Sequence, residues 1–361
     1  MNILILSANT GGGHNSAAKA LKAEFEKRGH SAKIKNALDF VPKTKDLFVT
    51  RSHELLYKYM PDIYGLGYRF EEEHSTFAMY LDYAQYAPKV IKYLQQREYD
   101  AVVCVHIFAA LMMTKVRKSG YYIPQYFIST DYTCSPGVEW IAADSYFVPK
   151  MLTREFVMHG IAEKAIIESG IPVDSRCYIE NDRKALRKSL KVAENARLII
   201  IGAGAIGCGP IREIANELRK ECGGEVCIRV LCGTNRQLYD KISQESDGES
   251  FTPVGYTDKM INWIKAADVM VTKPGGLTST EAASCRTPLF LVESVPGPET
   301  HNLKYFVERN FACTGESIEE IVEGIKALLE DGEKRESISK SQAEWFNLNS
   351  VRIIADEISR A

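Results

Sequence analysis

The sequence is short of every feature that would place it in a membrane, on a nucleic acid or in a disulfide framework. Its longest apolar run, Ile107 to Met113, is far below the roughly eighteen residues of a spanning helix. Its 45 Lys and Arg against 47 Asp and Glu leave a net charge of −2, so no basic face for a nucleic acid is built. The nine cysteines are odd in number and scattered, with no Cys-x-x-Cys pair; that argues against a zinc ribbon and for free thiols in a reducing, cytoplasmic compartment. No Asp-x-Asp pair occurs, and neither does a solenoid repeat or a low-complexity tract. Met1 runs directly into a strand-like Asn2–Ser7 with no basic region or cleavage site, so no secretory leader is expected.

What is there is an α/β pattern, repeated. The 361 residues are 45% hydrophobic and 25% charged, which fits two globular domains. Apolar runs at Asn2–Ser7, Ala101–Val105, Gln125–Ser129 and Ser145–Val148 read as strands separated by helical patterns. In the helix expected over Asn15–Arg28, Ala17, Ala18, Leu21 and Phe25 recur at helical spacing before Gly29 stops it. The series restarts at Arg197–Gly202 and continues through Glu225–Cys232, Asp268–Thr272 and Pro288–Val292. Such alternation predicts a doubly wound parallel sheet in each half, facing across a cleft. The polar, charged stretch Asp174–Asn195 is the expected hinge.

Residues 40–99 break the alternation and hold thirteen aromatics, Tyr57, Tyr59, Tyr64, Tyr68, Phe70 and Phe77 among them. Eight acids balance eight bases there. One reading is a helical insertion with aromatic packing; the other is an apolar acceptor site or a membrane-surface contact.

Three strand-to-helix loops carry chemistry. Asn9-Thr-Gly11-Gly12-Gly13-His14 lets backbone approach a ligand and sets an imidazole at the strand end. Gly202-Ala-Gly204-Ala-Ile-Gly207 matches the dinucleotide fingerprint, but the next strand ends Val230-Leu-Cys-Gly-Thr-Asn235 without the acid that binds a ribose hydroxyl. A nicotinamide cofactor, and with it a dehydrogenase, is therefore disfavoured. In Thr272-Lys-Pro-Gly275-Gly276-Leu277-Thr278-Ser-Thr280-Glu281, helix-start amides with the Thr278 and Thr280 hydroxyls suit a diphosphate without a metal. Thr278 and Glu281 equally suit a capping box. Downstream, Val295-Pro-Gly-Pro-Glu299-Thr-His301-Asn302 concentrates groups that hydrogen-bond sugars, on a turn whose prolines alone would account for its rigidity.

Taken together, the Gly-Gly-Gly-His14 loop, Gly255-Tyr256-Thr-Asp-Lys-Met260, Thr272–Glu281 and Pro296–Asn302 resemble the lipid-directed sugar-nucleotide glycosyltransferases. The nearest branch is the monogalactosyldiacylglycerol synthase and processive diacylglycerol glucosyltransferase group. The resemblance implies GT-B architecture: an acceptor domain over 1–170, a UDP-sugar domain over 171–342 and a helix over 343–361 that crosses back. It implies that Glu281 holds ribose hydroxyls and that Thr278, with Gly275, Gly276, Leu277, Gly204 and Gly207, borders the diphosphate. Tyr256 and Met260 would border the uracil, and Glu299, His301 and Asn302 would face the sugar. Gly11, Gly12 and Gly13 belong to the acceptor side. The expected base is Asp131, after the Gln125–Ser129 strand, or His14; Asp131 is the favoured one, with His14 positioning the acceptor or assisting. Relatives carry a His four residues after the Asp, where this chain has Ser135, and Trp140 is displaced, so the departure falls on the acceptor.

The expected activity is inverting transfer of glucose or galactose from UDP to diacylglycerol, without a metal or other cofactor and without a nucleic-acid partner. It would take place in peripheral contact with the inner membrane face. The alternatives are another lipid-linked acceptor, a UDP-GlcNAc epimerase and a non-catalytic nucleotide-sugar sensor.

Overall fold

The computed structural model describes residues 1–9, 12–44, 55–56, 60–202, 209–292 and 295–360. The chain divides into two units, Met1–Ser175 with Leu348–Ala361, and Arg176–Asn347.

The first unit is built on a six-stranded sheet of β1 (Asn2–Ser7), β2 (Ser31–Asn36), β3 (Ala101–Cys104), β4 (Gln125–Ile128), β5 (Ser145–Val148) and β6 (Ile166–Glu168). All pairings are parallel, in the order β2-β1-β3-β4-β5-β6. Ile3, Leu4, Ile5 and Leu6 are all fully buried, so both faces of β1 are covered, which is why it reads as an unbroken apolar run. The helix Gly12–Lys27 buries Ala17, Ala18, Leu21 and Phe25 on one of those faces. It ends where Gly29 takes φ +80° and the His30 N–H donates to Phe25 O at 3.0 Å, a turn only glycine enters cheaply.

The terminal helix Ser350–Arg360 belongs to this unit. Val351, Ile354, Ala355 and Ile358 fall at i, i+3, i+4 and i+7 and complete the core around Phe25. Arg28 fastens it, paired with Glu24 at 2.8 Å and with Asp356 at 2.6 Å. The single returning helix expected from Ala343 is instead two helices. Gly332–Trp345 lies in the second unit, and the chain leaves it only at Leu348.

The second unit repeats the plan with β7 (Arg197–Gly202), β8 (Val226–Gly233), β9 (Phe251–Gly255), β10 (Val269–Thr272), β11 (Leu289–Leu291) and β12 (Ala312–Thr314). Its order is β12-β11-β10-β7-β8-β9, again all parallel. Sheet class and repetition are those expected. Much of the segment expected as hinge is anchored instead. Arg187, almost wholly buried, donates to Ala266 O, Glu194 O, Ala196 O and the Asp268 carboxylate, and Arg183 reaches Asp268 at 2.7 Å.

In each sheet the winding reverses once, between β1 and β3 in the first and between β7 and β10 in the second. Such reversal points leave a crevice at the carboxyl ends of the strands, where ligands of open α/β sheets bind.

Asp268 is the keystone of the second unit's lower edge. Burial would raise its carboxyl, but the Leu198 N–H at 2.7 Å and the two guanidinium groups outweigh that and hold it below 3.8. Its contribution is therefore present above the unfolded value and lost as pH falls through the lower folded one. Asp268→Asn is expected to destabilise the protein by about 3 kcal/mol at neutral pH, because it strands Arg187, and to flatten acid unfolding below pH 3.8. Denaturant titrations followed by circular dichroism at neutral and acid pH check both.

Candidate active site

The crevice between β1 and β3 is occupied by His14. Gly12 and Gly13 open the first turn of its helix; Gly11 lies outside the described residues. Ser7 Oγ donates to Asn15 Oδ1 at 2.7 Å and Asn15 Nδ2 to Asn9 Oδ1 at 2.9 Å, which braces the loop from within. His14 Nδ1 lies 2.9 Å from the carbonyl of Val105, just past β3, and 3.0 Å from the Thr130 hydroxyl, just past β4. A carbonyl only accepts, so Nδ1 carries the proton and Nε2 is left as the ring's acceptor atom.

Burial lowers the His14 pKa from 6.5, against the opposing charge of Asp131 and the Val105 hydrogen bond. The ring is thus neutral at physiological pH, with an anion beside it that would stabilise its protonated form. The structure therefore brings His14 and Asp131, read from different loops, into one site.

Two further residues there lie outside the loop motifs. His106 caps the helix Ile107–Lys118, its Nδ1 accepting from the Phe108 N–H at 3.1 Å, and meets His14 edge-on with centroids 4.5 Å apart. Tyr68, on the helix Pro61–Glu73, brings its hydroxyl to Asp131 and Ser135. Only the aromatic excess of residues 40–99 hinted at it. The loop after Asp131 is held by carboxylates. Glu155 accepts from Thr133 Oγ1 at 2.8 Å and from the Cys134 N–H, and Glu139 accepts from Thr76 and from the Gly137 N–H at 2.9 Å. Gly137 takes φ +95° with Met79 and Ile107 against it, so Ser135-Pro-Gly137 is a turn in its own right. Trp140 packs between Phe77 and Tyr80.

In the second unit the β10 loop reaches the other reversal point. Gly275, not Thr278, precedes the helix Gly276–Ser284, and no side chain caps it, so the capping-box reading is not realised. In the helix's first two turns Thr278 and Glu281 alone are not buried, and at i, i+3 they share a face. Leu277 is buried, and so is Thr280, which donates back to Gly276 O, so Thr280 does not share the open face of Thr278. Glu299 is buried in an ion pair with Lys273, a residue sequence reading passed over. Fully buried Asn302 donates to Pro274 O at 3.0 Å, so it ties the two loops together. His301 is half-buried, Met260 opens the helix Met260–Ala266 and Tyr256 stands exposed. Gly204 and Gly207 lie outside the described residues.

Comparison with known proteins gives these two units a class. A family model described as Monogalactosyldiacylglycerol (MGDG) synthase matches residues 14–173, and one described as Glycosyl transferases group 1 matches residues 179–345. The processive diacylglycerol beta-glucosyltransferase of Bacillus cytotoxicus is 27% identical over 366 residues, covering 99% of this chain and 92% of its own. Of solved structures, Acinetobacter baumannii MurG superposes with a TM-score of 0.62 at 14% identity, covering 100% of this chain and 99% of its own. Anabaena HepE in complex with UDP gives 0.60 at 16%, covering 100% of both. The fold is the GT-B architecture of two Rossmann-like domains, and the class is glycosyltransferase. More particularly, the first of these units is similar to the MGDG synthase family and the second to the group 1 glycosyltransferases.

The His14 environment sets a direct expectation. An imidazole titration by NMR should give His14 a pKa below 6.5, and Asp131→Asn should lower it further, since the Asp131 charge is what opposes burial.

Proposed function

We propose that the protein transfers a hexose from a UDP-sugar to diacylglycerol at a membrane surface. The acceptor is bound in the first unit and the donor in the second. The observation that carries the lipid acceptor is an apolar face left in the open beside the His14–Asp131 site. On the helix that delivers Tyr68, Ile63, Leu66 and Phe70 are 49%, 59% and 61% exposed at i, i+3 and i+7, and Phe77 and Leu81 on the next helix, Phe77–Ala84, are exposed too. A helix normally turns such a stripe inward. An exposed apolar stripe on a helix is what an interaction site presents, and an interfacial helix lays it into lipid. No described helix is long and apolar enough to cross a membrane, so contact is peripheral in this reading. The names of the Bacillus relatives supply the acceptor, and the UDP bound to HepE supports the donor.

The mechanism is inverting transfer. The acceptor hydroxyl attacks the anomeric carbon and gives its proton to His14 Nε2, and the Asp131 carboxylate stabilises the imidazolium. Of the two bases the sequence offers, Asp131 and His14, this mechanism takes His14, because Val105 fixes the tautomer that makes Nε2 an acceptor. Charge builds on the departing UDP. The uncapped amides from Gly276 onward, with the Thr278 hydroxyl, face that charge. Glu281, on the same helix face as Thr278, takes the ribose. Glu299 and Asn302 shape the pocket through Lys273 and Pro274, and no metal is assigned a role.

A transfer assay with radiolabelled UDP-glucose or UDP-galactose and diacylglycerol in anionic micelles, with EDTA present, tests the reading. Labelled glycolipid is the expected product; UDP-sugar binding without turnover would favour the sensor instead. His14→Ala should cost about 10²–10⁴ in kcat. The acid limb of kcat/KM should lie below 6.5 and move lower in Asp131→Asn, whereas a limb in the carboxylate range that vanishes in Asp131→Asn would return the base to Asp131. Leu66→Ser and Phe70→Ser should each weaken vesicle binding about tenfold in sedimentation assays and leave UDP-sugar affinity unchanged.

A further inference from the structure

Among the described residues near the acceptor loop, the Tyr68 hydroxyl and the Trp140 indole N–H are buried without a hydrogen-bond partner, and of the two the Tyr68 hydroxyl lies beside Asp131. It is sealed from solvent and lies against Ser135, close enough to Asp131 to feel its charge, yet it makes no hydrogen bond of ordinary geometry to a described residue. Burying a hydroxyl without a partner destabilises a protein, and phenylalanine would place the same ring there without that cost. An idle buried donor next to a carboxylate therefore points to a ligand that completes it. Burial, then the charges of Asp131 and Glu72 and the nearby Tyr64 hydroxyl, push the phenol's ionisation well above its ordinary 10.0, so the group stays protonated at any working pH.

His14 and Asp131 deal with the reacting hydroxyl in the reading above. A protonated phenol beside them addresses a second oxygen of the same molecule. In a diacylglycerol the strongest acceptor close to the free hydroxyl is the carbonyl of the neighbouring ester. We propose that Tyr68 is an acceptor-positioning residue whose O–H donates to that ester carbonyl, so that the site selects glycerolipids with acyl rather than alkyl chains. The proposal rests on the diacylglycerol reading and adds to it the feature of the lipid that is recognised.

The test compares the full-length protein with Tyr68→Phe on two acceptors of equal chain length, dioleoylglycerol and its dioleyl ether, in the same mixed micelles with radiolabelled UDP-sugar. The wild-type protein should prefer the diacyl lipid in kcat/KM by about tenfold or more, since a site built around a hydrogen bond rejects the analogue that lacks it. Tyr68→Phe should lose that preference through its rate on the ester alone, with UDP-sugar affinity unchanged. Its thermal midpoint should stay level or rise by about 1–3 °C, which a merely structural tyrosine would not show. Preference retained in Tyr68→Phe overturns the proposal. So does a variant that loses both acceptors together with its thermal midpoint. Wild-type transfer to both lipids with equal efficiency overturns it too and leaves the glycolipid function standing, whereas transfer to neither removes the function and the proposal together.

Discussion

A parallel sheet covered on both faces must reverse its winding if helices are to reach both sides, and that constraint fixes where both candidate loops lie. The reversal between β1 and β3 leaves no helix over the carboxyl ends of those strands, and the Gly12–His14 turn fills the gap with backbone and one imidazole. The reversal between β7 and β10 does the same for the Gly275–Thr278 turn. Gly275 takes φ −74° and a Cβ there would meet nothing closer than 4.0 Å, so glycine leaves the backbone open at that turn. The side chains just after the glycines are then held by the rigid start of a helix. His14 is oriented by Val105 and Thr130, each at the end of a neighbouring strand, so its geometry is a property of the sheet more than of the loop.

The strands legible in the sequence are the ones this constraint buries. β1, β3, β4, β5, β7, β8, β10 and β11 each read as an apolar run and each was anticipated within a residue or two. The four strands not anticipated are β2, β6, β9 and β12, and every one of them is a sheet edge. An edge strand has one neighbour and one open flank, so its residues alternate or stay half-exposed. In Ser31–Asn36 only Ala32 is buried, and in Ile166–Glu168 none is. Periodicity reports burial, and where burial is partial it has little to report. The same holds for Arg187, whose charge argues for a solvated linker until the Asp268 carboxylate and three backbone carbonyls turn it inward.

The site was legible in a different way. Loop motifs name His14, Thr278 and Glu281, because glycine turns and helix starts have local signatures, and Asp131 comes from its strand end and the family resemblance. They do not name Tyr68, His106 or Lys273, whose placement depends on which helix lies over which strand end. The competition between capping and ligand binding at Thr278 was also beyond local sequence, since it turns on whether the helix starts at Gly276 or two residues later. Once the start is known, Thr278 has no helix end to cap and its open face with Glu281 is unexplained by the helix itself.

The insertion between β2 and β3 shows how stability and function divide one helix between them. Tyr64, Gly65 and Tyr68 turn toward the protein, whereas Ile63, Leu66 and Phe70 stay largely in solvent, Phe70 stacked on His74. Tyr68 sits on the inner face yet carries a hydroxyl that the interior does not satisfy. Neither feature follows from folding alone: a sequence selected only for stability would make Leu66 polar and Tyr68 phenylalanine. Both are accounted for if the outer face meets lipid and the inner hydroxyl meets the polar end of the same lipid molecule. A helix about 10–12 Å across is thin enough for one amphiphile to address both sides of it.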